Sequence, residues 1–138
     1  MKIVLGPNQP IPEYKTKEAA AFDLYATESV ILYPNKIHVM DMEFAMQLPT
    51  GLAAKLLVRS SIGRRGVMLA NTEGLIDNDF TSSVLAMLTT WKSEPVKIQK
   101  GERILQVQLI PYIQGEFEPV KELPSTIRGQ GLGSTGRF

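Results

Sequence analysis

Apolar residues in this chain fall in short runs that turn-forming residues repeatedly interrupt. The runs are Lys2–Leu5, Phe22–Ala26, Ser29–Tyr33, Ile37–Met40, Glu43–Leu48, Ala53–Val58, Val67–Ala70, Ser83–Thr90, Val96–Ile98, Arg103–Tyr112 and Glu116–Val120. Between most of them stand breakers such as Gly6-Pro7-Asn8, Pro34-Asn35-Lys36, Pro49-Thr50-Gly51, Glu94-Pro95 and Lys100-Gly101. Gly and Pro at these places favour chain reversal over continued helix or strand. The pattern predicts many short strands, and so an all-β barrel or sandwich. Helix is predicted only for a turn or two near Ser61–Arg65. Within Arg103–Tyr112, Gln106 and Gln108 alternate with Leu105, Val107 and Leu109, which displays Gln106 on the face opposite the apolar one. The last stretch, Leu123–Phe138, is rich in Gly, Ser, Thr and Pro without an apolar period, and is predicted to be a flexible arm. The expected organisation is therefore one β domain over residues 1–122 and an arm over 123–138.

Composition narrows the function more than the fold. With 138 residues the chain suits a single domain with a substantial core, and its 43% apolar and 21% charged residues are those of an ordinary globular protein. A net charge of +1 carries no global attraction for nucleic acid or membrane, so anion binding has to come from local clusters. The absence of Cys rules out disulfides, thiolate metal sites and cysteine nucleophiles, and the single histidine, His38, rules out a histidine-rich metal site. MKIVLGPNQP is too short an apolar segment for a signal sequence or a membrane span, which leads to the expectation of a cytoplasmic protein.

Candidate chemistry concentrates between Arg59 and Phe80. Val58-Arg59-Ser60-Ser61 sets a guanidinium and two hydroxyls at the end of an apolar run, a combination suited to phosphate oxygens. The same residues also fit a plain helix cap beside a solvated Arg. Asn71-Thr72-Glu73-Gly74-Leu75-Ile76-Asp77 sets an amide before a glycine turn and a carboxylate after it. A strand turning back there offers Asn71 and backbone amides to a nucleobase edge and Asp77 as a general base. Equally, Asp77 and Asn78 suit the closing of a turn.

These segments resemble the second and third signature motifs of the homotrimeric dUTP diphosphatases (dUTPases). Three further stretches resemble the remaining motifs in order: Ala20-Ala21-Phe22-Asp23-Leu24-Tyr25-Ala26, Gly101-Glu102-Arg103-Ile104-Leu105-Gln106, and Arg128-Gly129-Gln130-Gly131-Leu132-Gly133-Ser134-Thr135-Gly136. The resemblance implies a distorted jelly-roll-like β-barrel with one short helix and a C-terminal arm, assembled as a homotrimer with sites between subunits. It implies hydrolysis of dUTP to dUMP and pyrophosphate by an Asp-activated water attacking the α-phosphorus, with Mg²⁺ as the metal. Asp77 is then the base. Asn71, with backbone of the hairpin turn including Gly74 and Ile76, binds uracil, and Phe80 packs on the deoxyribose. Arg59, Ser60, Ser61 and Gln106 contact the phosphates, while Asp23 serves the metal region through water. Arg128, Leu132, Gly133, Ser134 and Thr135 close over the nucleotide. The chain departs from the family in having Phe80 where Tyr is usual and Leu132 where a Phe is usual, in a fifth motif one residue shorter. It also has Met40-Asp41-Met42-Glu43 where a Thr-Gly pair is often found.

Three competing readings are weaker. By analogy with the dCTP deaminase family, which shares this fold and an Arg-Ser-Ser opening, a deaminase is expected to carry a proton-moving glutamate about ten residues beyond Asp77, where Ser83-Val84-Leu85-Ala86-Met87-Leu88-Thr89-Thr90 holds no acid. A non-catalytic dUTP-binding regulator has no need of a positioned base. A nucleic-acid patch through Arg59, Arg64 and Arg65 lacks interleaved aromatics. Trp91 is expected in the barrel or an interface, and His38 as a structural residue.

Overall fold

Eleven short strands and one helical turn make up the computed structural model, which describes residues 1–125. The strands are β1 (Lys2–Leu5), β2 (Phe22–Tyr25), β3 (Val30–Leu32), β4 (His38–Asp41), β5 (Phe44–Gln47), β6 (Leu52–Val58), β7 (Val67–Leu69), β8 (Gly74–Ile76), β9 (Leu85–Thr90), β10 (Val96–Ile98) and β11 (Arg103–Pro111), with α1 (Ser60–Gly63) after β6. They pair antiparallel in four sheets, ordered β2-β11-β6-β8, β4-β9-β7, β1-β5 and β10-β3. The result is an all-β, jelly-roll-like arrangement around one core. No helix among the described residues is long and apolar enough to cross a membrane.

The core is formed by the inward positions of these strands. Leu24, Met40, Met42, Phe44, Leu88, Ile98, Ile104, Leu105 and Val107 are buried completely, and Phe22 meets Phe44 edge-on at 5.8 Å. Removing one such side chain, Leu24→Ala for example, costs about 2–5 kcal/mol through lost transfer energy and the cavity left behind.

The longest strand carries the irregularity that shapes the site. β11 pairs with β2 through Arg103↔Tyr25 and then Leu105↔Leu24, so the register slips at Ile104. A one-residue slip moves every following side chain to the other face. Ile104 and Leu105 are therefore both buried, and Arg103 and Gln106, three apart, come to share the outward face with Asp23, which lies directly opposite Gln106.

The segment Met40-Asp41-Met42-Glu43 has a clear structural role. Met40 and Met42 fill the core. Glu43 takes a left-handed conformation with φ 50°, a place where glycine is unstrained. In return its carboxylate accepts hydrogen bonds from the backbone N–H and the side-chain amide of Asn8, both at 2.7 Å, and its carbonyl accepts from Gly6 at 2.8 Å. The next residue, Gln9, is buried and completes the exposed edge of β2: its amide donates to the Tyr25 carbonyl at 2.6 Å and accepts from the Tyr25 N–H at 3.2 Å. A chain of contacts thus runs from the β4–β5 turn to the strand that carries Asp23.

Several expectations are corrected. Glu116–Val120 forms no strand; residues 112–125 run irregularly, with Ile113 and Phe117 each 97% exposed. Trp91, which follows β9, is exposed and takes no part in the barrel core, which leaves the interface alternative for it. β7 pairs with β9 whereas β8 pairs with β6, so the Asn71 connection is a corner between two sheets and not a hairpin.

Candidate active site

One group of predicted residues is assembled by sheet register. Asp23 on β2 is buried, and its two oxygens are taken by two guanidiniums: Arg59 Nε at 3.0 Å and Arg103 Nη1 at 3.2 Å. Arg59 also donates from Nη1 to the Arg103 carbonyl at 3.3 Å. A guanidinium has five N–H donors, so these two contacts leave the remainder of the Arg59 fork for an anion. Gln106 completes the row between Asp23 and Leu57. Two cations against one carboxylate leave this face locally positive although the chain is near neutral.

Ser60 and Ser61 lie on the first turn of α1 with their side chains outward. Ser60 is not the cap. Arg59 occupies that position in an extended conformation and makes no side-chain cap hydrogen bond, so neither hydroxyl is consumed in capping. The far end of the turn is fixed by Arg65, whose guanidinium donates to Glu102 and to the Lys97 carbonyl. Glu102 in turn accepts from the Gln99 N–H at 2.8 Å. Its turn is possible because Gly101 sits at φ 82°. Arg59 and Arg65 thus pair with different carboxylates, Asp23 and Glu102.

A second group surrounds a cavity of about 210 Å³ lined by Asn71, Gly74, Ile76, Asp77, Phe80 and neighbouring aliphatic residues. Gly74 is required by close approach: a Cβ there would lie 3.0 Å from Leu56 Cβ on the paired strand. The corner before it is strained, since Thr72 holds φ 64°, a conformation that a β-branched residue rarely adopts. Its hydroxyl donates to the Asn71 carbonyl at 2.6 Å, and the Glu73 N–H donates to the same oxygen at 2.7 Å. Beyond β8, the Asn78 amide donates to the carbonyls of Pro49 and Leu52 at 2.7 and 2.9 Å, which anchors the turn that presents Asp77. Asp77 itself is exposed at the rim of the cavity, where it also borders an open groove on the outer face of the four-stranded sheet.

The two groups do not meet within one chain. Ile76 lies opposite Ala54 on β6, whereas Asp23 lies in the row of Leu57, three strands away from β8. At about 3.4 Å per residue and about 4.8 Å per strand, Asp77 and Asp23 are roughly 20 Å apart. Arg128, Leu132, Gly133, Ser134 and Thr135 lie outside the described residues. Among the site residues that sequence reasoning missed are Arg103, which regular alternation assigns to the buried face, and Asn78, which reads as a simple turn closer.

The site therefore comprises a guanidinium face on an all-β scaffold and a small pocket rimmed by an amide, an aromatic ring and a carboxylate. The dUTPase family profile matches residues 8–136. The chain is 37% identical to a deoxyuridine 5'-triphosphate nucleotidohydrolase of Nautilia profundicola, covering 92% of this chain and 91% of that one. It is 39% identical to one of Hahella chejuensis, covering 96% and 90%. Among solved structures, the Staphylococcus bacteriophage 80alpha dUTPase with dUpNHpp superposes with a TM-score of 0.82 at 24% identity, covering 98% of this chain and 97% of that one. A dUTPase of S. aureus phage phi11, described with a structural Mg(II) ion, gives 0.76 at 20% identity over 88% and 96%. The chain belongs to the dUTPase family.

Proposed function

We propose that this protein is a dUTP diphosphatase that hydrolyses dUTP to dUMP and pyrophosphate, acting in the cytoplasm as a homotrimer with its sites between copies. The observation that carries the reading is the convergence of Asn71, Phe80 and Asp77 on one nucleoside-sized cavity. Asn71 and the backbone of the corner at Gly74 and Ile76 bind the uracil edge, and Phe80 packs on the deoxyribose. Asp77 orients and deprotonates a water that attacks the α-phosphorus; the bond to the bridging oxygen breaks and pyrophosphate leaves. Arg59, Ser60, Ser61 and Gln106 bind the phosphates and stabilise charge as that bond breaks. The roughly 20 Å between Asp77 and the Arg59 face supports a site composed from different copies. So do the exposed Ile113 and Phe117, apolar surface suited to a neighbouring copy.

Mg²⁺ enters this reading as a companion of the triphosphate. Both oxygens of Asp23 already accept from guanidiniums, and the described residues contain no group of three or more acidic or histidine side chains. These residues do not fit a direct protein cage; Asp23 is the residue that would help hold an ion brought in with the triphosphate, through water. Bound there, the ion neutralises phosphate charge. In the same reading, residues 1–122 form the β domain, and the arm over 123–138 brings Arg128, Leu132, Gly133, Ser134 and Thr135 over the nucleotide.

The direct experiment is product analysis with Mg²⁺ and, separately, dUTP, dCTP, dTTP and UTP. The expected result is dUMP and pyrophosphate from dUTP alone. Binding of dUTP without turnover would replace hydrolysis by nucleotide sensing, and dUTP formed from dCTP would mark a deaminase.

A further inference from the structure

Asp23 holds two guanidiniums, but the reaction as proposed employs only Arg59. We propose that Arg103 is a second binding group for the outer phosphates of the nucleotide, turned onto the phosphate face by the slip at Ile104 and oriented there by Asp23. The inference rests on the reading of a nucleoside triphosphate as the substrate.

Three observations carry it. Without the slip at Ile104, Arg103 would point with Leu105 toward the core; with it, the guanidinium lies on the face shared by Asp23, Gln106 and Arg59. Asp23 is already satisfied by Arg59 at 3.0 Å, so a second guanidinium at 3.2 Å exceeds what neutralising one carboxylate requires. Arg103 uses only Nη1 in that contact. Its Nε and Nη2 have no partner among the described residues, and its side chain is 41% exposed. A planar fork held at one corner and open at the other is the geometry for an anionic oxygen pair. The Arg103 carbonyl also accepts from Arg59, so the two forks are fixed relative to each other. Together they offer adjacent donors to successive phosphates of one chain.

The test compares wild type, Arg103→Gln and Arg103→Lys in the full chain by calorimetric titration with Mg²⁺ present. The probes are α,β-imido-dUTP, dUMP and inorganic tripolyphosphate. Losing a charged hydrogen bond should weaken binding of the imido-triphosphate about 10–100-fold in Arg103→Gln. The dUMP affinity should stay within about twofold, and the salt dependence of triphosphate binding should become shallower. Equal weakening for dUMP and the triphosphate, or no change in either, overturns the proposal. If Arg103→Gln does not fold, Arg103→Lys decides: it keeps the charge but loses the fork, so selective weakening for the triphosphate supports the proposal and unchanged affinity overturns it. Tripolyphosphate separates this inference from the dUTPase reading. Loss of its binding in Arg103→Gln supports the anion role even if the wild type turns over no dUTP, and unchanged binding overturns that role even if it does.

Discussion

The half of the site proposed to face phosphate and the half proposed to face the nucleoside are built in opposite ways. Around Asp23, both oxygens of a buried carboxylate are taken by guanidiniums set in place by strand register. Around Asp77, the working groups are exposed, and the support lies in the backbone: a close contact at Gly74, a strained Thr72 and the anchor at Asn78. The difference teaches where function and stability are coupled. On the proposed roles, removing charge from the first half is expected to disturb folding and binding together, and removing the carboxylate of the second half to disturb chemistry alone.

The largest expected effect tests the uncoupled half. Asp77→Asn should lower the rate of dUMP formation by about 10²–10⁴-fold, the usual contribution of a positioned general base. Its thermal midpoint should match the wild type, because Asp77 is exposed and makes no side-chain hydrogen bond among the described residues. A large drop in the midpoint would break the contrast.

Asp23→Asn should do the reverse. Replacing a carboxylate between two guanidiniums by an amide leaves the cations facing each other, at a cost of about 2 kcal/mol after allowance for the partial exposure of both arginines. Denaturant unfolding should register that loss together with weaker triphosphate binding. Full stability with impaired binding would show that the cluster is not structural.

Smaller effects sharpen the picture of the nucleoside half. Gly74→Ala sets a methyl 3.0 Å from Leu56 Cβ, so one of the two strands has to give by a few tenths of an ångström; the expected result is a destabilisation of about 1 kcal/mol and a raised KM. Thr72→Gly relieves the left-handed strain at the corner. Once the greater freedom of glycine in the unfolded chain is subtracted, it should leave the protein stable to within about 1 kcal/mol of wild type. Its signature should be a raised KM for dUTP with kcat preserved, because the Asn71 carbonyl loses the Thr72 hydroxyl that fixes it.

Much of the fold was legible as pattern. The runs at Lys2–Leu5 and Val96–Ile98 coincide with β1 and β10, and most other strands differ from their predicted runs by one or two residues. The display of Gln106 followed from alternation, and the short helix lay within a residue or two of its expected place. Arg103 was illegible because a bulge leaves no mark in hydrophobic period: Ile104 and Leu105 are both apolar whether the strand is regular or not. Glu43 was illegible for a different reason. Its left-handed backbone is compensated by Asn8 and Gly6, residues far away in sequence. Glu116–Val120 has strand-like composition, yet in this chain no strand among the described residues pairs with it.

The sequence by itself determined the strand-rich class, the alternation that buries Leu105 and Val107 and displays Gln106, and the residue types available for the proposed chemistry. These are local properties, decided by the stereochemistry of a few adjacent residues. Tertiary structure alone decided which groups meet. Asp23, Arg59 and Arg103 come together because β2, β11 and β6 lie side by side and one strand slips by a residue. Asp77 is kept from them because β8 pairs on the far edge of the same sheet. Register and lateral order depend on how distant strands share one core, and no window of neighbouring residues contains that information.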